Sequence, residues 1–265
     1  MGSLFTPLHR AGSGPPLVLL HGFTDTWRTW ELVLPALARG YDVLAPTLAG
    51  HTGGPRLAGA VTHDVLADEI EQAMDAAGFD TAHIVGNSLG GYLALRLAAR
   101  GRAESVVAFA PAGGWTPGDP AFEEVIRAFG PLQAQLKLAA PNAARIVASA
   151  EGRRRATALI VANSDHIPAE LIAHQMVGIA GCPAVPEMID YALRAGYPLD
   201  AERITCQVRI VWGAEDLLLP WPAGAARYRE ALPTADWVIL DGVGHCPQLD
   251  VPVEAAQLIT DVAVA

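Results

Sequence analysis

Six short apolar runs, each bounded by glycine or proline, constrain the fold of this chain more than any other feature. They are PLVLLHG (Pro16–Gly22), YDVLAP (Tyr41–Pro46), AHIVGNS (Ala82–Ser88), SVVAFAP (Ser105–Pro111), QVRIVWG (Gln207–Gly213) and DWVILDG (Asp236–Gly242). The runs are continuous and β-branched rather than alternating apolar with polar. Strands of that kind are covered on both faces, as in a parallel sheet. Helical patterns lie between them. In THDVLADEIEQAMDAAG, Leu66, Ile70 and Met74 fall four apart, with Ala73 and Ala77 on the same side and Gly78 at the C-cap position. Leu89, Leu93 and Leu97 repeat the spacing. Strand–helix alternation over 265 residues predicts an α/β fold with a mostly parallel, doubly wound sheet.

The alternation stops between Gly113 and about Pro198. Pro131, Pro141, Pro168 and Pro186 each stand where a helical pattern begins, as proline does at a first helical position. The spacing predicts short helices from each of them. A helical cap, residues 113–198, is thus expected between two strands of a core formed by residues 1–112 and 199–265. Only about fifteen residues precede the first confident strand, and LFTPLHRAG (Leu4–Gly12) is read as one edge strand with a turn at Gly12–Gly14.

Composition narrows the class. Hydrophobic residues make up 51% of the chain and charged residues 17%, which fits a buried core and excludes disorder. The net charge of −10 gives no electrostatic reason to bind nucleic acid or an anionic membrane. No apolar run reaches the roughly 20 residues needed to span a bilayer. No signal peptide is visible, and Cys182, Cys206 and Cys246 are too widely spaced for a metal or redox pair, so free thiols in a cytoplasmic protein are expected. No metal, cofactor or dinucleotide fingerprint is found. The expected partner is a small-molecule substrate, with the chain a monomer or homodimer.

Ser88 lies where the AHIVGN strand gives way to a helix. Gly86, Gly90 and Gly91 leave room for a very sharp turn. Such a turn presents the serine above the sheet, in a strained conformation, beside the Leu89 amide at a helix N-terminus. A helix-capping serine is the plain alternative. A nucleophilic serine needs a base. His245, three residues past the last strand in DGVGHCPQLDVP, is the best placed of eight histidines. Asp216, in GAEDLLLP after the preceding strand, is favoured to orient the imidazole, with Glu215 and Asp241 as rivals. The second donor to a developing oxyanion is expected from the Phe23 amide in LLHGFTDTW, with His21 orienting that loop.

Together, His21-Gly22-Phe23, Gly86-Asn87-Ser88-Leu89-Gly90-Gly91, WGAED with Asp216 and GHCPQLD with His245 resemble the α/β-hydrolase superfamily across nearly the whole chain. PTLAGHTGG (Pro46–Gly54) resembles its Gly-His segment, with Thr47 where many members carry Asp. The resemblance implies an eight-stranded, mostly parallel sheet with a cap. Members that are haloalkane dehalogenases or epoxide hydrolases use an aspartate nucleophile, and Ser88 argues against both. The serine branch implies a carboxylesterase-like enzyme acting on a small ester, thioester or lactone. A carbon–carbon bond hydrolase or lyase, or a binding protein without catalysis, are the alternatives.

Specificity is expected from the cap. Trp27, Trp115 and Met176 are the chosen substrate-binding candidates, with Trp30, Phe122, Phe129, His166, His174 and Met188 as further possibilities. Arg153-Arg154-Arg155 reads as a solvated helix face, and His63 as the opening of another.

Overall fold

The structure is a computed structural model and describes residues 5–57 and 59–263. Seven strands form one sheet: β1 (Leu8–Ala11), β2 (Pro16–Leu20), β3 (Asp42–Pro46), β4 (Ala82–Asn87), β5 (Ala103–Phe109), β6 (Gln207–Gly213) and β7 (Asp236–Leu240). Their order across the sheet is β1-β3-β2-β4-β5-β6-β7. Only the β1–β3 pair is antiparallel, with Leu8 opposite Pro46. All six apolar runs became strands. The expected eighth strand is absent among the described residues. Among the described residues, the stretch ahead of β2 holds one four-residue strand, and Gly12 and Gly14 at positive φ turn the chain straight from β1 into β2.

Both sheet faces are buried, which is why the runs show no polar alternation. On one face, the helices His63–Ala77 and Leu89–Ala99 lay Leu66, Ile70, Met74, Leu93 and Leu97 against Val18, Ile84 and Val106. On the other, Ala255, Ile259 and Val262 of the helix Pro252–Ala263 meet Leu17, Val85 and Val107. The first of these helices begins at Thr62, whose hydroxyl accepts from the Val65 amide, and ends at Gly78 in the left-handed conformation.

Between β5 and β6 the described chain is helical, in segments that include Pro120–Ala139, Ala150–Thr157, Ala169–Gly181 and Val185–Ala195. Pro131 does not start a helix. It lies inside Pro120–Ala139, on an exposed position, while Asp119 caps the true N-terminus and Pro120 occupies the first turn. An exposed proline reads in sequence as a beginning, yet a long packed helix tolerates the one missing hydrogen bond. His63 also departs from expectation. It is 4% exposed, with Nδ1 3.1 Å from the Tyr92 hydroxyl and its ring stacked on Tyr197. Among the described residues, no helix is long and apolar enough to cross a membrane.

Candidate functional site

The site is assembled at the C-terminal ends of β2, β4, β6 and β7. Ser88 falls between β4 and the helix Leu89–Ala99, with φ 54° and ψ −116°. A non-glycine residue at positive φ is strained, at a cost of roughly 1–3 kcal/mol. Close packing holds it there. A Cβ on Gly86 would stand 2.1 Å from the Gly90 carbonyl oxygen, and one on Gly90 would stand 2.1 Å from that of Leu20. The Ser88 amide donates to Phe109 O at 2.9 Å, so the turn begins directly from the β4–β5 ladder. Ser88 keeps partial exposure, unlike its neighbours in the turn.

The histidine and the carboxylate come from adjacent strand ends. His245 Nδ1 and Asp216 Oδ2 are 2.7 Å apart, and both side chains are buried. Asp216 Oδ1 accepts from the Leu218 and Leu219 amides at 2.9 and 2.8 Å, which turns Oδ2 toward the imidazole. The rivals are separated by exposure: Glu215 and Asp241 both face solvent. Gly213 and Gly244 let the two loops touch, since a Cβ on Gly213 would lie 2.2 Å from Gly244 O. The carboxylate leaves Nδ1 carrying the hydrogen, so Nε2 holds the lone pair. Buried Nε2 has no hydrogen-bond partner. An unpaired basic nitrogen is a group able to take a proton, and Ser88 and His245 line the same cavity.

Two backbone amides, those of Phe23 and Leu89, donate to no described residue. His21 fixes the loop that carries the first. Its Nδ1–H donates to Gly22 O at 2.7 Å, and Nε2 accepts from the Leu48 amide at 2.8 Å. Burial pushes the His21 pKa well below the usual histidine value, which keeps this neutral tautomer. Gly22 brings the loop against the serine, because a Cβ there would meet Ser88 Cβ at 3.3 Å.

Two chambers open beside Ser88. Phe23, Ser88, Phe129 and Leu218 line both, and the Phe23 and Phe129 rings meet edge to face with centroids 4.9 Å apart. The first chamber, about 50 Å³, is apolar and includes Trp115, Met188, Ile189 and Tyr197, with His63 at its wall. The second, about 100 Å³, includes His245, Met176, Ile172, Asp25 and Gln175. Trp115 and Met176 thus lie in different chambers. Trp27 lines neither. It stacks on His9 with centroids 4.6 Å apart, and its Nε1 donates to Thr6 Oγ1 at 2.8 Å. The nearby His9 ring, distant by 18 positions in the chain, supplies the packing partner that an isolated tryptophan in sequence does not reveal. Of the further candidates, Phe129 and Met188 reach a chamber, whereas Trp30 is core, His174 bonds Thr26, and His166 bonds Leu249 O.

Three contributors escaped the sequence reading. Asn87 donates through Nδ2 to His245 O at 2.9 Å and to Phe109 O at 3.2 Å. Asp250 accepts from the Gly244, Ala162 and Asn163 amides. Asp25 sits in the second chamber, where burial raises its pKa to about 6. Asn87, as the residue directly before the serine, was the one with a visible signal.

The model of the Alpha/beta hydrolase family matches residues 17–258, nearly the whole of the sheet and the helical segment. The chain belongs to the α/β-hydrolase family. Within the family, it is 36% identical over 200 residues to the epoxide hydrolase EphH of Mycobacterium tuberculosis, covering 74% of this chain and 92% of that one. A 2-hydroxymuconate semialdehyde hydrolase of a Pseudomonas species is 40% identical over 99 residues, 36% of this chain and 35% of that one. A thermophilic esterase from Thermogutta terrifontis shares the α/β-hydrolase fold at a TM-score of 0.72 and 21% identity, over 96% of this chain and 91% of that one. Among the described residues of this hydrolase, no cluster of three or more His, Cys, Asp or Glu side chains could hold a metal ion. The three cysteines are free, and burial pushes the Cys182 thiol up to about 12.

Proposed function

We propose that this chain is a serine hydrolase that cleaves a small carboxylic ester, thioester or lactone through an acyl-enzyme on Ser88. The observation that carries the reading is the 2.7 Å contact between His245 Nδ1 and Asp216 Oδ2, which leaves the buried Nε2 without a partner in a residue that lines the same cavity as Ser88. In this scheme Ser88 Oγ attacks the acyl carbon while His245 Nε2 takes its proton. Asp216 stabilises the imidazolium and holds its orientation. The substrate oxygen gathers negative charge and is met by the Phe23 and Leu89 amides, the donors without a protein partner. Nε2 then protonates the leaving group. Water, deprotonated by the same nitrogen, releases the acid. Residues 113–198 serve as the lid that excludes bulk water from this site, over a core of residues 1–112 and 199–265.

Similarity to a protein named epoxide hydrolase does not favour alkyl transfer here. An epoxide opened by a serine alkoxide would leave an ether, which offers no carbonyl for water to attack. An acyl group on the same oxygen leaves an ester that water can cleave. A second reading, carbon–carbon bond hydrolysis by the same three side chains, draws support from the match to the semialdehyde hydrolase.

The test is a fluorophosphonate label followed by peptide mapping, with a short-chain 4-nitrophenyl ester assay in parallel. Labelling at Ser88, lost in Ser88→Ala and His245→Ala, is the expected result. Equal ester hydrolysis by wild type and Ser88→Ala would sink the proposal. A panel containing dienol-type diketones separates the two bond classes.

A further inference from the structure

The second chamber holds a polar pair that the proposed reaction does not use. Asp25 and Gln175 face each other in its wall, with Gln175 Nε2 donating to Asp25 Oδ2 at 3.0 Å. Asp25 Oδ1 accepts from the Thr26 amide at 2.8 Å. Gln175 comes from the helix Ala169–Gly181, while Asp25 follows the oxyanion-loop residues Phe23 and Thr24. The pair therefore joins the helical segment to the loop beside Ser88.

Its hydrogen-bonding capacity is not filled. An ionised carboxylate only accepts, so Gln175 must turn its NH₂ group toward Asp25 and its carbonyl the other way. That carbonyl oxygen, Oε1, is buried and has no partner, and Gln175 as a whole is 5% exposed. A buried acceptor without a donor carries a desolvation penalty of about 1–3 kcal/mol. Asp25 also retains accessible surface in the chamber, and a carboxylate offers about four lone-pair positions. Burial outweighs the bonds from Thr26, Gln175 and Thr29 and pushes its pKa up to about 6. Among the described residues no lysine or arginine lines the chamber. Gln175 Oε1 is thus left without a donor beside the carboxylate. The other chamber differs in kind, being walled by rings and aliphatic side chains.

We propose that Asp25 and Gln175 form a binding subsite for a hydrogen-bond donor on the substrate, a protonated amine or a hydroxyl, a few bonds from the scissile group. One arm of the substrate is then apolar and fills the Trp115 chamber. The other ends in N–H or O–H groups that satisfy Gln175 Oε1 and the open positions of Asp25. A carboxylate arm is rejected by Asp25. Sites built to bond a polar group discriminate strongly against the analogue that lacks it, because their own buried groups are then left unpaired.

The inference rests on the reading of Ser88 as the reacting centre, and amide ligands that bind without turnover test it separately. Four would be titrated into wild type by calorimetry at pH 8, where Asp25 is ionised: N-(2-aminoethyl)butanamide, N-(2-hydroxyethyl)butanamide, N-propylbutanamide and N-butanoylglycine. The amine or the hydroxyl ligand, or both, should bind at least about tenfold more tightly than the propyl compound, and the arm with the larger gain identifies the donor. The carboxylate should bind most weakly. Asp25→Asn, which preserves shape, and Gln175→Leu should each reduce the preference severalfold, with thermal unfolding used to verify that both are folded. Equal affinity of the donor and propyl ligands for wild type, or no binding by any of them, overturns the subsite. So does a preference that survives both substitutions. Fluorophosphonate labelling of Ser88 is unaffected by any of these outcomes, so failure here stays distinct from failure of the serine hydrolase reading.

Discussion

Asn87 Nδ2 donates to the backbone carbonyl of His245 across 158 positions of sequence, at 2.9 Å. The bond ties the turn that presents Ser88 to the loop that presents the histidine. On its other side, Asn87 Oδ1 accepts from Gln248 Nε2 at 3.2 Å and lies 3.3 Å from Cys246 Sγ. Asn87→Leu, similar in size, would leave the His245 carbonyl unpaired in the interior and the Gln248 amide with its Thr29 bond alone. The expected result is a loss of about 2–4 kcal/mol in urea unfolding. For a 4-nitrophenyl ester, kcat should drop at least about tenfold while KM changes little, since the substitution moves the base rather than the binding wall.

The carboxylates near His245 make a sharper comparison. Asp216→Asn keeps an oxygen for the Leu218 and Leu219 amides but removes the charge that opposes the imidazolium. Its kcat should fall by roughly three orders of magnitude or more. Glu215→Gln, one residue away and exposed, should stay within about twofold of wild type. Steady-state kinetics on the two variants distinguishes them, and similar losses in both would remove Asp216 from its assigned role.

The turn glycines form a graded series. A Cβ at position 90 has no space, because the Leu20 and His21 carbonyl oxygens are backbone atoms. At position 91 the nearest atom is Pro111 Cβ, at 3.0 Å. Nothing lies near a Cβ at Gly101, whose φ of +80° is the sole strain. Alanine should therefore cost most at 90, less at 91, and about 1 kcal/mol at 101. Thermal unfolding of the three variants gives the order directly.

Stability should also depend on pH in a way set by buried side chains. Burial first of all lowers the pKa of His51, His63 and His174 to about 4 in each case. In the unfolded chain each takes its proton near 6.5. Between about pH 6.5 and 4 the unfolded state binds more protons, so acidification removes stability. Asp25 acts in the opposite sense. Its folded carboxyl is protonated near 6 and its unfolded form near 4, so it gains stability over part of the same window. His63→Phe should flatten the loss by about 1.4 kcal/mol per pH unit between pH 6 and 4.5, and Asp25→Asn should steepen it. Urea titrations at half-unit steps would check both signs.

The sheet was legible because its strands are apolar on both faces and separated by glycine and proline. Helix His63–Ala77 was equally plain, with its four-residue spacing and terminal glycine. Ser88, Asp216 and His245 could be picked out because each follows a strand, and strand ends converge at one edge of a parallel sheet. Pairings between distant polar side chains leave no such trace. Asp25 and Gln175 are 150 positions apart, and neither sits in a periodic pattern that would mark its partner. His63 was misread for the same reason, since the tyrosines that bury it come from positions 92, 191 and 197. Among the described residues no eighth strand occurs, and the one edge strand expected ahead of β2 is β1.

Asp250 has a mechanical consequence. Its Oδ2 accepts from Gly244, next to His245, and from Ala162, both at 2.7 Å, while Oδ1 accepts from Asn163 at 2.9 Å. The Cys246 amide adds a bond to Ile160 O at 2.8 Å. The helical segment is thus sewn along residues 160–163 to the very loop that carries the imidazole. It cannot lift away as one piece without unseating His245. Further bonds, from Gln175 to Asp25 and from Thr52 to Gly178 O, fasten the helix Ala169–Gly181 to the core as well, so the position of the imidazole depends on how this whole segment is seated.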